Sequence, residues 1–298
     1  NKMEERMHIN WYPGHMKKTK ELLQSSLALV DIVVEVVDSR IPLASKNPDI
    51  DTIAANKPRI IVLNKEDLAD QAVTGKWIDY YQKKGFIAIA MNANSGNGLD
   101  RLITAIDRAY SAQKEKFLSK GMINRAPRIM IVGIPNSGKS SLINKLTGRK
   151  SAQTGDRPGV TKGKQWVRVK GNLEMLDTPG ILWPKFEDDR VAMLLAFTGA
   201  IKDDVLNVEE IGFQLLDRIR KIDPAIIEKR YSVEIDPDEE TIEVMNRIAS
   251  ERKFILRGKE IDYHRTGQTI LNEFRAGLMG RITLESPQEQ NKKTDSEE

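Results

Sequence analysis

Four short apolar runs constrain this chain more than any other feature: residues 31–38 (DIVVEVVD), 59–64 (RIIVLN), 86–91 (FIAIAM) and 128–133 (RIMIVG). Each is brief, continuous rather than alternating, and rich in β-branched residues, as expected of a strand buried on both faces of a parallel sheet. Parallel neighbours need long crossovers, and the helical stretches near 71–84 and 98–119 supply them. The alternation predicts a doubly wound, mostly parallel α/β domain. Residues 165–169 and 173–177, joined by Lys170-Gly171-Asn172, read as a hairpin. Beyond Trp183-Pro184 only helical patterns follow, near 187–200, 207–221, 223–230, 238–252 and 268–280. The expected organisation is an α/β domain over 1–185, a smaller all-helical domain over 186–285, and a polar, aperiodic, disordered tail over 286–298.

Composition removes several function classes. The chain has no cysteine, which excludes disulfide scaffolds, thiolate zinc sites and cysteine nucleophiles. Its three histidines, His8, His15 and His264, are scattered, which argues against a histidine-built metal site. No apolar run reaches the ~18 residues of a membrane span, and the charged start lacks a signal-peptide stretch. A soluble, cytoplasmic, monomeric protein with no membrane partner is expected. The net charge of +4 hides an asymmetry: residues 1–185 hold 30 Lys/Arg against 18 Asp/Glu, and residues 186–298 hold 17 against 25. Eight basic residues between Lys145 and Lys170 face Asp156 alone. Such a field attracts polyanions, nucleic acid first among them, although a solvated surface has the same composition.

Residues 133–140 (GIPNSGKS) satisfy G-x-x-x-x-G-K-[ST], after a predicted strand and before a predicted helix at 139–147. Glycines let backbone N–H groups turn inward on phosphates, Lys139 reaches the β and γ oxygens, and Ser140 ligates Mg²⁺. The helix amino terminus adds its partial positive charge. The phosphate set is therefore Asn136, Ser137, Gly138, Lys139, Ser140 and Ser141. Downstream, Asp177-Thr178-Pro179-Gly180 ends a strand. There Asp177 can hold a Mg²⁺-bound water and Gly180 can offer its N–H to a γ-phosphate. Thr161, in a Gly/Pro-rich stretch between the two motifs, is a third candidate for the metal, against the alternative of an ordinary loop threonine.

Asn64-Lys65-Glu66-Asp67 follows the second apolar run and resembles the N-K-x-D element of GTPases, whose carboxylate pairs with the guanine N1–H and amino group. Asn92-Ala93-Asn94, after the third run, resembles the S-A-K element, whose backbone N–H meets the guanine oxygen. In ordinary GTPases the phosphate loop comes first; here both base elements precede it, which is the order of a circularly permuted P-loop GTPase. With residues 11–16 (WYPGHM) and 38–42 (DSRIP), the chain is similar to the bacterial ribosome biogenesis GTPase A (YlqF-type) family over most of its length.

The resemblance implies a GTP-hydrolysing assembly factor that uses GTP, GDP and Mg²⁺. It also implies a partner, the precursor of the large (50S) ribosomal subunit and its rRNA, which activates hydrolysis. The carboxy-terminal helices resemble an ANTAR-type RNA-binding module, and residues 247–281 carry eight basic residues against four acids; a solvated helix face is the alternative. The glutamine that many GTPases place after D-x-x-G is Ile181 here, which cannot orient water. His15 is the replacement that the resemblance implies, against the alternative that it merely begins a helix at 16–28. Asn136 resembles the asparagine that holds K⁺ in related GTPases, or it only shapes the loop. A rival reading is a nucleotide-switched rRNA-binding protein in which hydrolysis is incidental.

Overall fold

The computed structural model describes residues 13–119, 125–148, 165–177 and 188–288. The four apolar runs become β1 (Ile32–Asp38), β2 (Arg59–Asn64), β3 (Ile87–Ala90) and β4 (Arg128–Gly133). The expected hairpin is β5 (Gln165–Val169) and β6 (Leu173–Asp177). Together they form one sheet in the order β3-β2-β1-β4-β6-β5, parallel except at the β5 edge. All seven residues of β1 are buried, because helices cover both faces. On one face α4 (Leu99–Leu118) and α5 (Lys139–Thr147) set Leu102, Ile106, Leu142 and Leu146 against Val34, Val36, Ile60 and Val62. On the other, α3 (Gln71–Lys83) places Trp77 and Tyr81 against Val37, Ile61 and Leu63. Leu23 and Leu27 of α1 (Pro13–Leu27) join Val33, Met130 and Val132 in a further cluster. A short helix, α2 (Asp49–Ile53), lies between β1 and β2.

The chain runs from β1 outward through β2 and β3, then returns to place β4 on the other side of β1. The carboxyl ends of β1 and β4 therefore flank a topological switch point, where open α/β sheets bind ligands.

Helices α6 (Asp189–Phe197), α7 (Val208–Ile222), α8 (Pro224–Tyr231), α9 (Thr241–Glu251) and α10 (Tyr263–Arg275) follow. Carboxylates or amides of Asp188, Asn207, Asp223 and Asp262 accept first-turn N–H groups and fix four of their starts. The Asp262 cap explains why α10 begins at Tyr263 instead of 268. Helices α7 and α10 cross at Gly212 and Gly267, where a Cβ on Gly212 would overlap the Gly267 Cα. The apolar cluster of this half is continuous with that on the sheet face, joining Val132 and Leu176 to Leu215, Ile248 and Phe274.

After α10, residues 281–285 are extended and lie on the α/β half. The Ile282 N–H donates to the Leu68 carbonyl at 3.0 Å and the Leu284 N–H to the Arg40 carbonyl at 2.8 Å. The Glu285 carboxylate accepts from the N–H groups of Leu43 and Ala44, and its carbonyl accepts from Trp77 Nε1 at 3.0 Å. This strap is non-helical, a departure from the helical reading of the whole 186–285 stretch, because its N–H groups are satisfied by the loops it crosses. Residues 289–298, most of the tail expected to be disordered, lie outside the described residues.

Glu35 is the exception in the sheet interior, a carboxyl on β1 at 1% exposure with Arg59 Nη1 3.5 Å away. Arg59 is shared with Asp51. Burial pushes the Glu35 carboxyl up to about 7, against the opposing pull of Lys46 and Arg59. Its folded value exceeds its unfolded value, so its favourable contribution is complete below about pH 4.5 and is lost as pH rises through 7. Glu35→Gln should therefore raise thermal stability at pH 8 by up to ~3 kcal/mol and leave it nearly unchanged at pH 4.5. Calorimetry of both proteins at the two pH values checks this; an equal shift at both would contradict it.

Candidate functional site

The phosphate loop leaves β4 at Gly133 and enters α5 at Lys139, so backbone N–H groups collect at a helix amino terminus. Two residues there hold left-handed backbone, Asn136 at φ 61° and Gly138 at φ 94°. At Gly138 glycine is required twice over: the positive φ disfavours a side chain, and a Cβ would overlap Asn64 Nδ2. Lys139, Ser140 and Ser141 occupy the first turn of α5, half-buried, and Ser137 is buried.

Asn64, the last residue of β2, joins the loops. Its Nδ2 donates to the Ser137 carbonyl at 2.9 Å, and its Oδ1 accepts the Ala93 N–H at 2.9 Å. Lys65, at φ 60°, donates from Nζ to the Asn136 carbonyl at 2.6 Å and lies 3.2 Å from Asp38 Oδ2. Asp38 also binds Arg40 through both carboxylate oxygens, at 2.9 and 2.7 Å. Burial alone would raise the Asp38 carboxyl, but Arg40 and Lys65 outweigh it and hold the group well below the usual carboxylate range. Burial, exceeding the attraction of Asp38, lowers the Lys65 ammonium.

A cavity of about 490 Å³ opens at this point. Of the residues singled out in the sequence, Asn64, Lys65, Asp67, Asn92, Asn94, Asn136, Gly138 and Ser141 line it. Ala93 does not; its N–H is taken by Asn64, so that amide is not presented to a base, and Asn92 and Asn94 form the wall there. The Asn92 Oδ1 in turn accepts the N–H groups of Asn94 and Ser95. Asp177 ends β6 and is exposed. His15 falls in the first turn of α1, and its side chain lies outside the described residues, as do Thr161, Gly180 and Ile181 altogether. Sequence reasoning missed Leu68, Thr198, Gly199 and Arg275, which complete the wall. It also gave no role to Arg40, although the quoted 38–42 stretch contains it. A larger cavity, about 790 Å³, lies between α6, α7 and the loop after β1 and holds none of these motif residues.

The donor set suits Mg²⁺: one hydroxyl, Ser140, at a helix start and one exposed carboxylate, Asp177. Mg²⁺ retains waters and takes substrate phosphates in preference to an all-protein cage. No group of three or more His, Asp or Glu able to hold a metal occurs among the described residues.

A strand–loop–helix phosphate cradle tied by Asn64 to the Asn92–Asn94 loop, on a sheet whose motifs run in permuted order, defines a circularly permuted P-loop GTPase. Residues 128–255 match the family described as 50S ribosome-binding GTPase. The chain is 45% identical to ribosome biogenesis GTPase A of Bacillus cereus over 283 residues, 95% of each chain. It superposes on the GDP-bound structure of TM YlqF with a TM-score of 0.64 at 28% identity, covering 90% of this chain and 99% of that one. For the GNP-bound YlqF from T. maritima the values are 0.61, 29%, 91% and 98%. This chain belongs to the ribosome biogenesis GTPase A family.

Proposed function

We propose that this chain binds GTP and GDP in the 490 Å³ cavity, hydrolyses GTP, and serves assembly of the large ribosomal subunit through contacts with its precursor and rRNA. The observation that carries the reading is Asn64, which bonds the phosphate loop with one end of its amide and the Asn92–Asn94 loop with the other. In this reading Lys139 and the α5 amino terminus neutralise phosphate charge, and Ser140, Asp177 and Thr161 would hold Mg²⁺, which would supply further charge stabilisation to the phosphates. His15 orients the attacking water, the task that Ile181 cannot perform. Asn136 donates its Nδ2 to the Thr198 carbonyl at 3.2 Å, and its Oδ1 would be the atom to hold K⁺. Replacing KCl by NaCl should then slow turnover; equal rates would remove the K⁺ assignment.

Base choice tests the site. Asp67 is exposed at the cavity wall, where an acceptor can pair with the two guanine donors. Asp67→Asn presents a donor to the guanine amino group, so GTP affinity should fall ~100-fold or more, the scale of two hydrogen bonds to a charged group, while xanthosine triphosphate affinity rises. Equal affinity of the unaltered protein for ATP and GTP would defeat the assignment. Ile181 keeps the second reading alive, a nucleotide-switched rRNA-binding protein, and single-turnover hydrolysis with and without ribosomal subunits separates the two.

A further inference from the structure

We propose that Arg275, from the helical half, is a positioning residue for the bound nucleotide, acting through the Thr198–Gly199 turn on Asn136 of the phosphate loop. The inference rests on the assignment of the 490 Å³ cavity to guanine nucleotide. Arg275 is the last residue of α10, and its guanidinium meets the carboxyl end of α6. Nε donates to the Phe197 carbonyl at 3.0 Å and Nη2 to the Ala196 carbonyl at 2.8 Å. These belong to the last turn of a helix, where carbonyls lack partners within the helix itself. Asp203 grips the other edge of the same plane, Oδ2 to Nη1 and Oδ1 to Nη2, both at 2.8 Å.

The next residue of the chain carries the contact into the site. The Thr198 carbonyl accepts from Asn136 Nδ2, and Gly199 lies between the two side chains: a Cβ there would stand 3.4 Å from both Arg275 Nε and Asn136 Nδ2. Asn136 in turn receives Lys65 Nζ on its carbonyl. A continuous set of polar contacts therefore runs from Asp203 through Arg275, α6 and Asn136 to the base-reading loop, and four of its members line the cavity. The planar fork matters, since a lysine cannot serve two carbonyls and a carboxylate in one plane. Among the described residues, α6 is also the first helix after Asp177.

The test is the release rate of a fluorescent GDP analogue from the full chain, chased with unlabelled GDP. Arg275→Ala and Asn136→Gly, the latter keeping the left-handed backbone, should each speed release roughly tenfold, the scale of a lost hydrogen bond to a charged group. The double variant should be no faster than Asn136→Gly alone, because one acts through the other. Arg275→Lys should release as fast as Arg275→Ala. Arg230→Ala, which breaks a helical-half ion pair to Glu273 whose members do not line the cavity, should behave as the unaltered protein. Unchanged release in Arg275→Ala, or accelerations that multiply in the double variant, would overturn the proposal and leave the nucleotide site standing. Failure of the unaltered protein to retain the analogue would instead bring down the site assignment and the inference with it. Should Arg275→Ala not fold, Asp203→Asn, which loosens the same guanidinium, is read by the same criteria.

Discussion

Gly138→Ala is expected to cost guanine-nucleotide affinity ~100-fold or more while leaving the fold in place. Two penalties add at this residue. A side chain at φ 94° stores backbone strain, on the order of 1–3 kcal/mol. The new Cβ also displaces Asn64 Nδ2 from the Ser137 carbonyl, leaving a buried acceptor unpaired at a further ~1–3 kcal/mol. Since ~1.4 kcal/mol is tenfold in binding, even the lower ends of the two ranges sum to well over tenfold, and their midpoints exceed a hundredfold. Within 4 Å this atom meets only the Asn64 side chain, at the very end of β2, so circular dichroism should remain that of the unaltered protein. Titration with a fluorescent GDP analogue reads the loss. Affinity within threefold of the unaltered protein would show that the cradle does not hold phosphate.

The second large effect is on rate. With Ile181 at the water-positioning place, unassisted turnover is expected at ~10⁻⁴ to 10⁻² s⁻¹. A large ribosomal subunit or its precursor should raise it many-fold, and His15→Ala should remove ~10²–10⁴-fold of the stimulated rate. The structure refines which charges to reverse. Arg247 pairs with Glu239, Arg252 with Glu273 and the Tyr231 ring, Arg265 stacks on the Phe254 ring and Arg275 pairs with Asp203, so four of the six arginines of 247–281 are occupied internally. Lys253, Arg257 and Lys259 are exposed on the turn after α9 that closes through the Ile255–Ile261 bridge. Reversal of these three should weaken stimulation, and raising salt from ~50 to ~200 mM should do the same, because phosphate contacts release counterions. No stimulation at either salt would rule out a ribosome-activated GTPase; stimulation that survives the reversals would mark the turn as a solvated surface.

The strands and the nucleotide motifs were legible because their information is local. A β-branched run such as 31–38 announces a buried strand, and GIPNSGKS announces a cradle, within eight residues each. What stayed hidden depends on distant partners. Nothing near Arg275 in the sequence marks it as a cavity residue; its role follows from meeting Asp203 and the carbonyls of α6. Apolar periodicity alone starts α10 at 268, whereas the single polar cap Asp262 starts it at Tyr263. The Asn92–Asn94 element was matched by order, and its internal bond from Ala93 to Asn64 required the folded loops. The strap at 281–285 (RITLE) alternates polar and apolar residues, but its hydrogen bonds go to loops instead of to a neighbouring strand, a pairing set only in the folded chain.

That strap also orders events during synthesis. A chain made from its amino end at ~5–20 residues per second folds what has emerged, and the sheet can assemble once β6 is out. The loop after Asn64 and the loop after β1 nevertheless wait for Ile282, Leu284 and Glu285 to supply their backbone partners, more than a hundred residues later. Until then these two loops lack those partners, and a nascent chain halted before residue 285 carries the phosphate loop without them. Fastening of these loops is thus deferred until residue 285 has been made, and the Trp77 indole, bonded to the Glu285 carbonyl, sits where its emission can report that moment.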